Sequence, residues 1–481
     1  MKVTIEWGPV RSGFNPLLPP ALAALVDSNI SVFVPGYKFS KQYKARVWNA
    51  TKTEKVRLWD GKKHFLWPKR QRFPTGLLHM VKEALEAAGN EVNISGEAPM
   101  PDHILPVTSL PDGSKLRDYQ IAACSAFLDS PRGILRLPTA SGKTLVAAAI
   151  TRSMNCQTLG LIHGNSLLDQ THADFERHLR QKIGLIGNKV FDPQMITLAS
   201  VDTVYSALKR NTPAVLEVLG TTDFVWCDET HRASAMSWVE VLKAIETPYR
   251  LGLSGTPFKK QELRDMELQA WTGPLLYNID PKQLQDTGFL APARLTAVEI
   301  NSPKSSEKDY QTVVKELIIE HEERNTVLAD LAIARAKAGK SVFLLAGNSI
   351  ALSLWLFRYI EELFPGVELV TGQTGVYANR DALKRFSEGA SRIIVSSVVM
   401  DEGINAPNTN VVILAYTGKS YVKTIQRIGR GLRLKSDGSG LEVIDVMDNT
   451  NFFLRNHAKK RLEYYEEEGF FSSVEVINGV A

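Results

Sequence analysis

Two stretches of this sequence hold residue types that together can handle a phosphate. The apolar GILRL runs into Leu137-Pro-Thr-Ala-Ser-Gly-Lys-Thr144 and then into the helical LVAAAITRSM, so a strand hands a short loop to the start of a helix. Backbone N–H groups of such a loop and of the helix N-terminus cradle a β-phosphate. This assigns Thr139, Ala140, Ser141 and Gly142 to the cradle, Lys143 to the β and γ oxygens, and Thr144 to a magnesium ion. Leu137 stands where the general pattern opens with Gly, and Ala140 fills a place often taken by Gly. Alone, the stretch is equally well read as an ordinary strand-to-helix turn.

The second stretch, Asp228-Glu229-Thr230-His231, begins 85 residues after Lys143, at the end of the apolar run Phe224-Val-Trp-Cys227. A carboxylate at the C-terminal end of a neighbouring parallel strand faces such a phosphate loop. Asp228 is therefore expected to hold the magnesium shell, and Glu229 to orient and deprotonate the attacking water. His231 is placed to hydrogen-bond towards a second domain and sense its position. A third stretch, Gln426-Arg427-Ile428-Gly429-Arg430-Gly431-Leu432-Arg433, offers fixed guanidinium groups for charge developing on a γ-phosphate. Arg430 and Arg433 are the candidate arginine fingers, with Gln426 set to position water or the γ-phosphate.

Such residues need a scaffold, and the apolar runs supply one. From Ser114 to about 290, GILRL, TLGLIH, MITLAS, DFVWCD and YRLGLSG alternate with helical stretches; SVFLLAG, VELVTG, RIIVSS, NVVILAY and LEVIDVM repeat the pattern beyond it. That alternation predicts two α/β domains in tandem, each with a parallel sheet, over 114–290 and 291–481. A Pro-, Gly- and Asp-rich linker over 99–113 separates them from an N-terminal unit, residues 1–98. In that unit FPTGLLHMVKEALEAAGN predicts an amphipathic helix from about Gly76 to Ala88. The tail from Asn451 to Ala481 reads as helical.

Charge is segregated along the chain. The formal net charge is +5, yet between Pro35 and Arg72 twelve Lys or Arg face only Glu54 and Asp60, a local +10 that leaves the remainder at −5. Tyr37, Phe39, Tyr43, Trp48, Trp59, Phe65 and Trp67 are interleaved with these cations, and the alternation in KVRLW and KHFLW predicts short antiparallel strands. The clustered cations, among them Lys38, Lys41, Lys44, Arg46, Lys62, Lys63 and Arg70, are read as a nucleic-acid face. The aromatics are read chiefly as the core of the small unit, with stacking on opened bases as the alternative.

Composition bounds the rest. At 481 residues the chain is long enough for roughly three domains of about 150. With 44% hydrophobic and 23% charged residues it matches ordinary globular protein rather than a disordered one. Three widely spaced cysteines exclude a disulfide framework or a four-thiolate metal site and fit a reducing compartment. No run approaches the ~20 apolar residues of a membrane span, and a cytoplasmic location is expected, in a host cell if the source is a phage.

Together these motifs resemble the DExH-type superfamily 2 helicases and translocases over residues 110–450. That resemblance implies tandem RecA-like domains, ATP and Mg2+ as cofactors, and roles for further positions. Leu116-Arg-Asp-Tyr-Gln120 stands where the family reads adenine, giving Arg117 and Gln120. LIHGNSLLDQ (161–170) and ITLASVDTV (196–204) stand where it grips a strand, giving Gly164, Asn165 and Ser200, although Pro-Thr is common at the first pair. Leu253-Ser-Gly-Thr-Pro257 resembles the coupling element, with Ser254 and Thr256. Ser396-Ser-Val-Val-Met-Asp-Glu-Gly-Ile-Asn405 resembles the motif touching nucleic acid through Ser397 and ATP through Gly403 and Asn405. The LRDYQ opening is similar to the XPB-like branch, which includes RecG-like remodellers and restriction motors, and the N-terminal layout is similar to that of phage branch-migration helicases.

The resemblance implies a motor that closes its two α/β domains on ATP and moves along DNA, remodelling Holliday junctions, forks, D-loops or R-loops. The expected partner is duplex or branched DNA with single-strand tracking, with recombination or replication proteins as further candidate partners, the chain a monomer and no membrane involved. A DExH RNA helicase, a restriction-type motor subunit and an ATP-gated clamp remain open alternatives.

Overall fold

Every apolar run expected to form a strand in the two large domains does so. A parallel strand covered on both faces needs a continuous apolar run, as in Thr158–Ile162, Phe224–Cys227 and Val411–Leu414, where every residue is buried. The computed structural model describes residues 1–48, 53–96, 108–130, 132–230, 236–258, 261–300, 304–397, 408–416, 435, 438–469 and 471–479. They divide into two units: Met1–Leu137 with Gly142–Asn278, and Ile279–Ala481 with the tetrapeptide Pro138–Ser141.

The first unit holds two main sheets. Its eight-stranded sheet runs in the order Val190–Asp192, Gly184–Gly187, Ile196–Ser200, Thr158–Ile162, Phe224–Cys227, Tyr249–Ser254, Arg132–Arg136, Leu275–Asn278, all parallel except the edge hairpin formed by the first two. The sequence expectation that the strand before Asp228 neighbours the strand before the phosphate loop is corrected here: Tyr249–Ser254 lies between them and pairs with both.

The smaller sheet orders Arg72–Pro74, Arg11–Phe14, Lys2–Glu6 and Glu91–Ser95, with helices Pro20–Asn29 and Leu78–Ala87 packed together. The second helix matches the expected span, preceded by a 3-10 turn at Thr75–Leu77, and buries Val81 and Leu85. One continuous apolar core joins Leu77 and Val81 of this region to Leu268 and Trp271 of helix Glu262–Trp271. Lys63 forms an ion pair with Glu267 on that same helix. The basic region and the first parallel sheet are thus parts of one body.

The aromatics depart from expectation. Only Phe65 is buried; Tyr37, Tyr43 and Trp59 are half-buried, while Phe39, Trp48 and Trp67 are exposed. The core is filled instead by the aliphatic side chains and by Phe14 and Phe73 of the small sheet, while Tyr37, Tyr43, Trp48 and Trp67 each face a cation.

The second unit is a seven-stranded, all-parallel sheet ordered Glu368–Val370, Ile393–Ser396, Val342–Leu345, Val411–Leu414, Leu441–Asp448, Ala293–Ile300, Phe471–Gly479. The tail is only partly helical. Helix Phe452–Glu468 ends at Gly469 (φ 61°), and Phe471–Gly479 then becomes the edge strand beside Ala293–Ile300. The helix is fixed by Arg461, whose guanidinium donates to Asp445 at 2.7 and 3.1 Å, and by the Tyr465 hydroxyl, 2.7 Å from the same buried carboxylate. No helix among the described residues is long and apolar enough to cross a membrane.

Candidate nucleotide and nucleic-acid sites

The phosphate loop leads into helix Lys143–Met154, whose N-cap Gly142 sits at φ 83°. A Cβ at Gly142 would lie 2.6 Å from Gln120 Nε2, so only glycine leaves room for that side chain. Gln120 is itself fixed, its Oε1 accepting from the Arg117 backbone N–H at 2.9 Å, which brings the adenine-element residues against the loop. The Arg117 guanidinium turns to the Tyr119 hydroxyl at 3.4 Å. Ala140 takes φ 69°, the left-handed conformation that explains why glycine is common there. Ser141 departs from the expected cradle: its N–H and its hydroxyl both donate to the Pro138 carbonyl, at 3.2 and 2.7 Å. Thr144 is half-buried in the first helical turn.

Across the sheet, Lys143 Nζ donates to Glu229 Oε1 at 3.1 Å, bridging the intervening strand. Asp228 is fixed by its N–H to the Leu161 carbonyl (3.1 Å), and its Oδ1 accepts from the Glu229 N–H at 2.9 Å. Burial pushes the Asp228 carboxyl up to about 6; neighbouring Glu229 adds to this, while Lys143 and the Glu229 N–H oppose it. Burial alone would lower the Lys143 ammonium, but Glu229 and Asp228 outweigh it and hold it raised. Glu229 adopts φ 49°.

The intervening strand carries the expected coupling residues. Ser254 is buried; its carbonyl accepts from the Leu137 N–H at 3.0 Å and its Oγ from the Thr256 N–H at 3.2 Å. Thr230, to which sequence reasoning gave no role, proves to be the cross-brace: its hydroxyl donates to the carbonyls of Cys227 (3.1 Å) and Leu253 (2.9 Å), tying the Asp228 strand to the coupling strand. Its small hydroxylated side chain within DETH was the available signal. His231, Gly403, Asn405, Gln426, Arg430 and Arg433 lie outside the described residues.

A magnesium–phosphate group fits these residues. Among the described residues no cluster of three or more His, Cys, Asp or Glu is arranged to hold a metal unaided. Magnesium is usually bound by one or two protein oxygens together with substrate phosphates, and Thr144 and Asp228 are such a donor set.

The expected nucleic-acid contacts divide into three groups. Asn165 is exposed at the start of helix Asn165–Leu179, just after Gly164 (φ 88°), and is free of burial. Ser200 and Ser397 are corrections: both are buried. The Ser200 hydroxyl caps helix Val201–Lys209 by accepting from Thr203 N–H at 3.4 Å, while Ser397 directs its N–H to the Val370 carbonyl. In the basic region, Lys38, Lys41, Lys44, Arg46 and Arg70 are exposed. Lys62 is half-buried with its ammonium 5.1 Å from the Phe33 ring centre, and Lys63 is occupied by Glu267.

Comparison with known proteins follows the same division. Residues 113–259 match the family described as the res subunit of type III restriction enzymes, and residues 323–435 match the helicase conserved C-terminal domain. The chain is 25% identical over 366 residues to the DNA 3'-5' translocase XPB2 of Sulfurisphaera tokodaii, covering 69% of this chain and 81% of that protein. It is 24% identical over 402 residues to the ATP-dependent DNA helicase uvsW of Enterobacteria phage T4, covering 75% and 77%. The chain is a superfamily 2 helicase.

As such it is an ATP hydrolase, and its nearest expectations in fold hold. An HsdR-subunit fragment of a type I restriction enzyme from Vibrio vulnificus aligns over 88% of the helicase and 78% of that chain, with TM-score 0.58 and 19% identity. Dbp5 of S. cerevisiae aligns over 76% and 90%, with TM-score 0.53 and 14% identity. These likenesses identify the two parallel sheets as tandem RecA-like domains.

Proposed function

We propose that this helicase is an ATP-driven DNA translocase that remodels branched DNA, by Holliday-junction migration, fork regression or dissolution of D-loops and R-loops. The observation that carries the reading is the union, in one unit, of the Lys143–Glu229–Asp228 site with an exposed cationic and aromatic face, joined through a continuous core and the Lys63–Glu267 ion pair. A grip on duplex mounted on the hydrolysing domain turns each cycle into displacement along the duplex. The relatives named as a DNA translocase and a DNA helicase favour DNA over RNA.

In the resting site Lys143 neutralises Glu229. When ATP binds, its γ-phosphate competes for the Lys143 ammonium, leaving the Glu229 carboxylate to accept a proton from the attacking water. Thr144 and Asp228 would hold magnesium, which when bound offsets negative charge on the phosphates. Gln426, Arg430 and Arg433 lie outside the described residues, and the positive charge and water positioning expected of them come from the sequence alone. Strand exchange between paired states is nearly balanced in energy, so a motor of this kind needs grip and direction more than raw unwinding force.

The test is steady-state ATP turnover at fixed salt with no nucleic acid, single-stranded DNA, duplex DNA, a four-way junction and matched RNA. Strongest stimulation by the junction is expected. Stimulation by RNA alone would make the chain an RNA helicase, and none by any of them would make it a clamp.

A further inference from the structure

We propose that the two-stranded ribbon Arg46–Trp48 with Lys55–Arg57 enters the major groove of B-form duplex DNA, gripping the arm of the branch on which the motor stands. The inference rests on the DNA-motor reading above and names the element and the groove through which it grips.

The pairing is antiparallel, with Arg46 opposite Arg57, Val47 opposite Val56 and Trp48 opposite Lys55. Because side chains alternate, Arg46, Arg57, Trp48 and Lys55 share one face and the two valines the other. All six residues are exposed, Trp48 at 57%. Like charges directly opposite destabilise a strand pair, and a lone two-stranded ribbon is marginal in water. Here three cations stand on one face, and no acid lies within either strand. The stability cost of that arrangement is offset when a polyanion lies against it.

The ribbon is also mounted rather than loose. The Leu58 N–H donates to the Ala45 carbonyl at 3.0 Å, closing its base. The Arg57 guanidinium lies 4.0 Å from the Tyr43 ring centre and donates to its hydroxyl. Tyr43 meets Tyr37 edge-on (4.8 Å), and Tyr37 stacks on Phe33 (4.7 Å). Gly61, at φ 89°, lies directly under the Tyr37 ring, where a side chain would collide. Phe33 belongs to strand Ser31–Phe33, which packs on helix Glu262–Trp271 of the motor sheet. A pillar of aromatic rings thus connects the ribbon to the hydrolysing domain.

Geometry then selects the partner. The major groove of B-form DNA, about 12 Å wide, admits a two-stranded ribbon, whereas that of A-form RNA is too deep and narrow for side chains to read. Arg46 and Lys55 would reach phosphates on the groove walls, Arg57 would add positive charge from its seat on Tyr43, and Trp48 would offer apolar contact to base edges.

The test uses the full chain with Arg46 and Lys55 both changed to Ala, measured by fluorescence anisotropy on labelled duplex DNA, single-stranded DNA and duplex RNA across a salt series. The expected result is a duplex-DNA affinity reduced about tenfold or more at low salt, with the slope of log affinity against log salt shallower by up to about 1.8, or about 0.9 per lost phosphate contact. Single-strand affinity should stay within about twofold, and an unchanged Tm shows that the variant is folded. Wild-type protein that binds duplex DNA with a slope identical to the variant's overturns the ribbon while leaving the motor reading intact. Equal losses on single strand and duplex overturn the groove. Wild-type preference for duplex RNA overturns the DNA reading beneath both.

Discussion

The phosphate site and the basic ribbon both concentrate charge, and they do so by opposite means. At the phosphate site, charge is withdrawn from water and made specific: Lys143 meets Glu229 at 3.1 Å, and Asp228 is buried enough to hold its proton up to about pH 6. On the ribbon, Arg46, Lys55 and Arg57 stay in water with no acid on either strand. The first arrangement can be ruined by moving one atom; the second acts as a field, in which several cations contribute small, salt-sensitive and roughly interchangeable amounts. Precision and grip are thus built from the same residue types by changing only their exposure.

The sharpest way to break this contrast is Lys143→Ala, expected to cut ATP turnover by at least about 10²–10³-fold while leaving duplex affinity within about twofold. A matching loss of DNA binding would mean that the two regions are not separable. Next comes Arg461→Ala in the second unit, which strands the buried Asp445 carboxylate. The expected loss is about 3–5 kcal/mol in urea denaturation followed by a probe in that unit, against less than about 0.5 kcal/mol for Arg46 or Lys55 alone.

The pH response should be smaller and of definite sign. The folded chain keeps the Asp228 proton up to about pH 6, where an exposed aspartate loses it near about 4, so between those values the folded state binds more protons than the unfolded one. Stability of the metal-free protein therefore falls as pH rises through that window, while magnesium affinity, which needs the ionised carboxylate, weakens as pH drops below about 6. Calorimetric magnesium titrations at pH 5.5 and 7.5 read the second effect; equal affinities would remove Asp228 from the metal shell. The smallest effect expected is from Ala140→Gly, which relieves a left-handed alanine and should gain about 1 kcal/mol or less, read as a slight rise in Tm.

The legibility of the sequence followed the same division. Strands buried on both faces announce themselves as apolar runs, and the ten runs read from the sequence all form strands, with the phosphate loop and the DETH carboxylates at their ends; Ala293–Ile300, interrupted by Arg294 and Glu299, was not among them. Strand order was not, because pairing partners are set by tertiary packing: nothing local in YRLGLSG says that it slides between the Asp228 strand and the loop strand. The closing strand Phe471–Gly479 was missed because five of its first six residues are exposed and the stretch lacks an apolar run. The aromatics of the basic region were misassigned because composition does not say whether a tryptophan faces a core or a lysine; Trp48 faces Lys55 at 5.3 Å. Ser200 and Ser397 sit in motif positions, yet their burial depends on helix and strand packing that motifs do not encode.

The place of that closing strand also bears on how the protein is made. Ala293–Ile300, the first strand of the second sheet, waits for Phe471–Gly479 to cover its outer edge, and the Asp445 carboxylate waits for Arg461 and Tyr465. During vectorial synthesis the first unit has all of its sheet strands once residue 278 has left the ribosome, whereas the second carries an open edge and an unpaired buried acid until its last strand emerges. The nascent chain is therefore most dependent on chaperone protection late in translation, when the ATP-site half is already formed.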